Sequence, residues 1–213
     1  MAGSAAFENE SLSEKVKRTI VDRVVDGTYP PGMRLVELQL AKEFGVSQAP
    51  VREALRELSS TRLVENIPRR GTFVRSASQD DLAEVYFVRL ALEGTAAAAA
   101  YPALHADPSP LRDALAGMRE AAARDDAHGI AKYSTDFHRA VVVATGNRLM
   151  LEIWDSLYVE ARTMATVVRG HVDLHAAAEA HVPILDAFES GTPDLCTKLV
   201  IEHQHEYSVL PQE

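Results

Sequence analysis

The sequence predicts a mainly α-helical protein in two parts, a short N-terminal unit of helices finished by a β-hairpin and a longer C-terminal unit built only of helices. Three observations carry that prediction. Between Val36 and Leu58, two apolar stripes of helical period are separated by a Gly45-Val46-Ser47 turn. From Leu63 to Val74 the pattern shortens to two strand-like runs around Pro68-Arg69-Arg70-Gly71. From Asp81 the periodicity is helical almost to the end, with neither strand-like alternation nor an internal repeat.

The chain opens with residues 1–10, small and polar, which read as a flexible arm. The N-terminal unit then spans residues 11–75. Val16 to Val25 is an amphipathic helix ended by Gly27, and Pro30-Pro31-Gly32 fixes the turn into the helix pair. Leu38, Leu40, Ala41 and Phe44 mark one face of a short helix, and Gly45 can take the left-handed turn at its end. Ser47 can cap the next helix, whose Val51, Ala54, Leu55 and Leu58 follow the i, i+3, i+4, i+7 spacing of a buried stripe. Pro50 is tolerated there because first-turn N–H groups have no helical partner to lose.

Gln48 and Arg52, four apart, share the opposite face near the start of this second helix. A helix entering the DNA major groove uses that end, where Arg can bridge a guanine edge and Gln an adenine edge. The helix pair alone fits a plain solvent-exposed surface equally well, and the flanks decide between the two. A hairpin with Arg69 and Arg70 at its tip is poor core material and well suited to phosphate or the minor groove. The elements add up to a winged helix-turn-helix with a small β-hairpin wing.

Residues 76–80 read as a linker that also caps the first helix of the second unit, leaving 81–213 as an all-helical unit. Pro102, Asp107-Pro108-Ser109-Pro110, Arg124-Asp125-Asp126, Gly146-Asn147, Gly170 and Gly191-Thr192-Pro193 punctuate it. The expected helices are Asp81–Tyr101, Pro110–Arg124, Ala127–Thr145, Arg148–Arg169, Val172–Ser190 and Pro193–Tyr207, which make an antiparallel six-helix bundle. The Ala-rich run from Thr95 to Ala100 reads as a helix side packed closely against a neighbour.

Charge is divided unevenly between the parts. Through Arg75, 12 Lys and Arg stand against 10 Asp and Glu, whereas the remainder carries 10 against 21, for a net charge of −9 overall. That balance argues against a general polyanion binder but leaves room for a locally basic face on a specific site, particularly if two copies add their contacts. Cys196 is the one cysteine, so no intrachain disulfide can form. No secretory leader pattern and no stretch of 18 apolar residues is present, and a cytoplasmic protein without membrane contact is expected.

Three histidines of the bundle pass a simple geometric test. His181 precedes Gly191 by ten residues and His203 follows Pro193 by ten. In an antiparallel hairpin both then lie about 15 Å from the turn, level with one another. His138 sits mid-helix among Phe137, Val141 and Ala144 and also points inward. Three imidazoles facing one cavity suit a borderline divalent ion such as zinc or nickel, though three separately hydrogen-bonded histidines fit the spacing too. Arg89 lies among Val85, Val88, Leu90 and Leu92, where an unpaired guanidinium would be expensive. It either forks onto a carboxylate ligand or pairs internally with Glu93. His171 and His175 read as exposed.

These motifs carry a resemblance. The runs Gly27-Thr-Tyr-Pro-Pro-Gly-Met-Arg-Leu35, Leu40-Ala-Lys-Glu-Phe-Gly-Val-Ser-Gln-Ala-Pro-Val-Arg-Glu-Ala-Leu-Arg-Glu-Leu58, Leu63-Val64 and Arg69-Arg-Gly-Thr-Phe-Val74 resemble the DNA-binding domain of the GntR family of bacterial transcription regulators. The resemblance implies that Arg34, Ser47, Gln48, Ala49 and Arg52 face DNA and that Arg69, Arg70 and Gly71 lie along it. Many members carry Arg where this chain has Gln48, so a different base preference is expected there. The segments Arg89-Leu-Ala-Leu-Glu93, Phe137-His138, Ala144-Thr-Gly-Asn147, Glu179-Ala-His-Val-Pro-Ile-Leu-Asp-Ala187 and His203 are similar to the helical effector domain, or FCD domain, of the FadR-type branch, in its shorter VanR-like form.

In that family an Asp four residues before the first His joins three His around a metal that helps to hold a carboxylate effector. Here that position is Ser134. Asp136 is no simple replacement, since two residues turn a helix by about 200° and four by about 40°. The resemblance therefore implies effector contacts from Arg89, Ser134, His138, His181 and His203, with the three His as metal ligands. The expected function is a homodimeric repressor of a double-stranded DNA operator, relieved by a small carboxylate. The alternatives are a DNA-binding dimer without an effector and a metal-dependent hydrolase, although the sequence has no H-E-x-x-H, glycine-rich phosphate loop or serine elbow.

Overall fold

A computed structural model describes residues 10–76, 78–169 and 172–208. The expected arm, apart from Glu10, together with Ala77 of the linker, Gly170 and His171 lies outside the described residues. The chain divides into two compact units, residues 1–76 and 77–213.

The first unit runs α1 (Leu12–Val25), β1 (Arg34–Leu35), α2 (Glu37–Phe44), α3 (Gln48–Ser60), β2 (Val64–Ile67) and β3 (Gly71–Val74). Ser11 starts α1 by accepting the Glu14 N–H at 3.1 Å, and α2 ends at Gly45 with φ 67. The stripe expected on α3 is buried, with Val51, Ala54 and Leu58 wholly enclosed, and Val16 and Ile20 of α1 close over it. Burying each large member contributes about 1.5–3 kcal/mol. Two details differ from the sequence reading. Leu38 is 64% exposed, so only Leu40 and Ala41 bury deeply on α2. Ser47 stands at the N-cap of α3 but makes no side-chain capping bond there.

The wing has a third strand that periodicity does not reveal. β1 pairs antiparallel with β3, Arg34 opposite Phe73, and the strand order is β1-β3-β2. Two residues are too few for alternation to register as a strand. The β1–β3 pairing also explains Gly71, which has φ 107. A Cβ there would lie 3.1 Å from Arg34 Nε, so neither the backbone nor the space admits a larger residue without strain.

The second unit contains α4 (Gln79–Ala106), α5 (Ser109–Ala123), α6 (Ala127–Ala144), α7 (Arg148–Asp155), α8 (Val159–Arg169), α9 (Leu174–Glu179), α10 (Val182–Ser190) and α11 (Pro193–Ser208). Ser78 caps α4 through a reciprocal box with Asp81. All six expected helical segments are occupied, but two are broken and one is longer. The segment Arg148–Arg169 is interrupted where Tyr158 takes φ 48. The segment Val172–Ser190 breaks at Ala180-His181, because Pro183 in the first turn of α10 has no N–H to continue the ladder. Conversely, α4 runs through Pro102 to Ala106. The Pro102 ring faces solvent, while Ala100 and Leu104 on either side are buried.

The Ala-rich stretch packs closely, as its composition implies. Ala96, Ala97 and Ala100 are fully buried, and a Cβ on Gly94 would meet Ile201 Cγ1 of α11 at 2.9 Å. That close approach aligns α4 and α11 and brings their polar residues into register. Met118, Phe137, Trp154, Ile184 and Phe188 complete a continuous apolar core around them.

Candidate functional site

In the first unit, Gln48, Ala49 and Arg52 stand exposed on the outer side of α3, beside exposed Ser47. The inward stripe forces this orientation, because 3.6 residues per turn places positions 48 and 52 away from 51, 54 and 55. Arg52 donates from Nε and Nη2 to Glu37 at 3.1 and 2.9 Å, so α2 holds the guanidinium in one orientation. At the wing, Arg69 takes φ 64 at the exposed tip. Arg70 lies over the Phe73 ring at 5.8 Å, and Arg34 pairs across from that same Phe73. β1 thus adds Arg34 to the two arginines of the hairpin.

A pocket lies between the helices of the second unit. Each wall is a helical stripe. α4 contributes Tyr86 and Arg89, α6 contributes Ile130, Ser134 and His138, and α8 contributes Thr163, Thr166 and Val167. Ala177, His181, His203 and Gln204 close the remaining side. The break before α10 leaves His181 at a helix start, and its Nδ1 lies 2.9 Å from the Ala177 carbonyl, to which it donates.

His138, His181 and His203 converge. Their rings lie 4.4 to 5.3 Å apart, and one nitrogen from each falls within 4.8 Å of the others. All three are buried. Burial pushes His181 down, and the neighbouring His138 and Arg89 take it further, to about 3. His203 lies well below the ordinary value through burial, then His181 and His138. Both imidazoles are therefore neutral near pH 7 with a lone pair to offer. Ser134 Oγ is 3.3 Å from His181 Nε2, whereas Asp136 pairs with Lys132 at 2.6 Å on the outer face.

A residue that the sequence suggests only as a partner for Arg89 is the hub of the site. Glu93 is completely buried. Its carboxylate accepts from Arg89 Nε at 2.9 Å, Trp154 Nε1 at 2.7 Å and Gln204 Nε2 at 2.6 Å, and lies 2.9 Å from His138 Nδ1. Burial would raise its pKa, but Arg89 and His138, with bonds from His138 and Trp154, hold it at about 2. The internal pair is thus present, and Arg89 lines the cavity as well, its guanidinium carbon 5.0 Å from the Tyr86 ring. Tyr86, Arg89 and Glu93 at i, i+3, i+7 form a polar stripe on a helix of mixed character, the one signal that could have found this wall.

The fit to a divalent ion rests on the donor set. Three buried imidazoles, two of them kept neutral, have their nitrogens close enough to face one centre, and Glu93 and the Ala177 carbonyl hold the far side of two rings. These residues could hold a metal. Ser134 supplies a neutral oxygen where the resembled pattern has a carboxylate.

A winged helix-turn-helix joined to a helical unit with a buried polar cavity defines a DNA-binding transcription regulator. Residues 12–74 match the model of the bacterial regulatory proteins of the gntR family, and residues 84–206 match that of the FCD domain. The chain belongs to the gntR family, with an FCD domain as its second unit. A protein of Paenarthrobacter nicotinovorans named "Probable D-xylose utilization operon transcriptional repressor" is 35% identical over 206 residues, 97% of this chain and 91% of its own. The gluconate operon transcriptional repressor of Bacillus subtilis (strain 168) is 31% identical over 137 residues, covering 63% of this chain and 56% of its own. The crystal structure of a transcriptional regulator GntR from Rhodococcus sp. RHA1 superposes with a TM-score of 0.79 at 28% identity, covering 93% of this chain and 96% of that one. The family and these relatives are regulators of transcription, not enzymes, which removes the hydrolase alternative. Among the described residues, no helix is long and apolar enough to cross a membrane.

Proposed function

We propose that the chain represses transcription from a DNA operator and releases it when a small carboxylate binds in the helical unit together with a divalent metal. The observation that carries this reading is the convergence of His138, His181 and His203 on a buried cavity that Arg89 also lines. The charge balance supports an anionic effector. Glu93 already offsets Arg89, so two neutral imidazoles and Ser134 leave little net charge. A bound zinc or nickel ion would add the positive charge that draws in a carboxylate. Ser134 in place of an acidic ligand keeps more of that charge for the effector, at the cost of a weaker hold on the metal. The repressing sign takes support from the relatives named for D-xylose and gluconate operons.

The DNA contacts in this proposal are Gln48, Ala49 and Arg52 on the exposed side of α3, Ser47 before it, and Arg34, Arg69, Arg70 and Gly71 at the wing. As a homodimer, the protein would read two half-sites at fixed spacing, so a small change in arrangement alters affinity for the pair more than for either half. An effector acts on such a dimer only through different affinities for its two arrangements.

Elemental analysis of tag-free protein, with His138→Ala as control, tests the metal. About one ion per parent chain and none in the variant is the expected result, and no ion in either removes the metal from the proposal. Footprinting with and without a panel of small carboxylates tests the effector. A footprint that none of them changes, and that Arg89→Ala also leaves responsive to nothing, supports a DNA-binding dimer without an effector instead.

A further inference from the structure

We propose that Pro183 is a positioning residue for the metal, because it holds open the helix break at Ala180-His181 and so leaves the Ala177 carbonyl to fix the His181 ring. The inference rests on the metal reading above and assigns to that site a residue outside its ligand set.

Pro183 is exposed, so core packing does not account for it. Nor does any other signal end the helix there. The run from Leu174 to Ser190 is rich in good helix formers, and both residues at the break keep right-handed angles, Ala180 at φ −61 ψ −17 and His181 at φ −87 ψ −16. α9 and α10 are nearly one helix, interrupted at a single step. In a continuous helix the Pro183 ring would collide with the carbonyl of Glu179, four residues back, and it has no N–H to offer in return.

The interruption changes what the Ala177 carbonyl meets. In an unbroken α-helix the His181 N–H would bond to Ala177, four residues back. Here it turns to the Ala178 carbonyl, three back, at 3.2 Å. Ala177 lies buried in the cavity wall, and its carbonyl is left to His181 Nδ1, which donates to it at 2.9 Å. That bond orients the ring and places its proton on Nδ1. Nε2 keeps the lone pair, and it is Nε2 that lies 3.3 Å from Ser134 Oγ. The same turn presents the Ala180 carbonyl to His203, with which it forms a hydrogen bond. Two of the three imidazoles are therefore held by the backbone of one short turn. Arg119 of α5 tethers the residue just before it, donating from Nε and Nη2 to the Glu179 carboxylate at 2.7 and 2.9 Å.

The test compares the full-length parent with Pro183→Ala. Alanine restores the N–H, and because the position is exposed it opens no cavity. Zinc affinity is read by competition with a chromophoric chelator. Chelator-treated samples are unfolded in urea, and their His181 tautomer is read from long-range proton–nitrogen correlation spectra. Pro183→Ala is expected to hold zinc roughly ten- to a hundredfold less tightly, the usual cost of losing a partner behind a metal ligand. Its urea midpoint is expected to be no lower than the parent's, since alanine is the better helix former. The proton of metal-free His181 resides on Nδ1 in the parent and shifts at least partly to Nε2 in the variant. Unchanged zinc affinity, or a variant that loses zinc with its tautomer unaltered, overturns the inference and leaves the metal reading in place. A urea midpoint that falls together with zinc affinity makes Pro183 a structural residue and overturns it as well. A parent that takes up no zinc overturns both.

Discussion

Glu93→Leu removes the acceptor from a buried guanidinium, an indole N–H and an amide at once. Arg89 is 2% exposed, and stripping the partner from a buried ion pair costs about 3–5 kcal/mol. The orphaned Trp154 Nε1, bonded to Glu93 at 2.7 Å, adds about 1–3 kcal/mol, and the extra apolar volume of leucine returns part of this. A net loss of about 4 kcal/mol is expected, a large share of the roughly 5–15 kcal/mol that holds a typical domain. Urea unfolding followed by the emission of Trp154, the only tryptophan, reports on this unit alone. The double variant Arg89→Met/Glu93→Leu, which removes both charges, is expected to regain about half of the loss. A single variant that loses less than about 1 kcal/mol, or a double variant no more stable than the single, would refute the role given to the pair.

Further expectations concern acid, metal and DNA. In chelator-treated protein, His181 is depressed from 6.5 to about 3, so the unfolded chain binds a proton that the native state refuses, and stability falls as pH drops below 6.5. From pH 6.5 to 5 His181 contributes a loss of about 2 kcal/mol, with His203 adding in the same direction, whereas Glu93, held at about 2, withdraws its contribution only below its ordinary 4.5. Urea midpoints that stay flat between pH 7.5 and 5 contradict this. Ser134→Asp places a carboxylate beside His181 Nε2, which Ser134 Oγ approaches to 3.3 Å. Competition with a chelator is then expected to show roughly tenfold tighter retention of zinc. An unchanged exchange rate means that position 134 does not face the ion. Arg52→Ala is expected to weaken operator binding by roughly ten- to a hundredfold in gel-shift titrations while leaving non-specific DNA binding nearly unaltered. Equal losses on both DNAs would make Arg52 a phosphate contact instead.

Period and punctuation are enough to read the helix-turn-helix, because a buried stripe at i, i+3, i+4, i+7 leaves few alternatives for Val51, Ala54, Leu55 and Leu58. Counting residues from the Gly191–Pro193 turn is enough to bring His181 and His203 together, and α10 keeps most of that count even though the longer helix breaks at His181. The breaks themselves are less legible. Pro183 is a visible signal for one of them, but the left-handed Tyr158 leaves none in composition. β1 is too short to alternate. The role of Glu93 depends on α4 lying against α11, so that Gln204, Trp154 and His138 meet on one carboxylate, and pairing of distant helices is not written in local periodicity.

The Arg52–Glu37 pair has a consequence for how the regulator is shared out along a chromosome. Away from its operator, Glu37 cancels the charge of the arginine that would otherwise be drawn to any phosphate. With only 12 basic against 10 acidic residues through Arg75 and an acidic second unit, each molecule has little hold on bulk DNA. A smaller fraction of copies is then tied up on the vast excess of wrong sites. If Arg52 contacts the operator as proposed, fewer molecules would be needed to keep that site occupied.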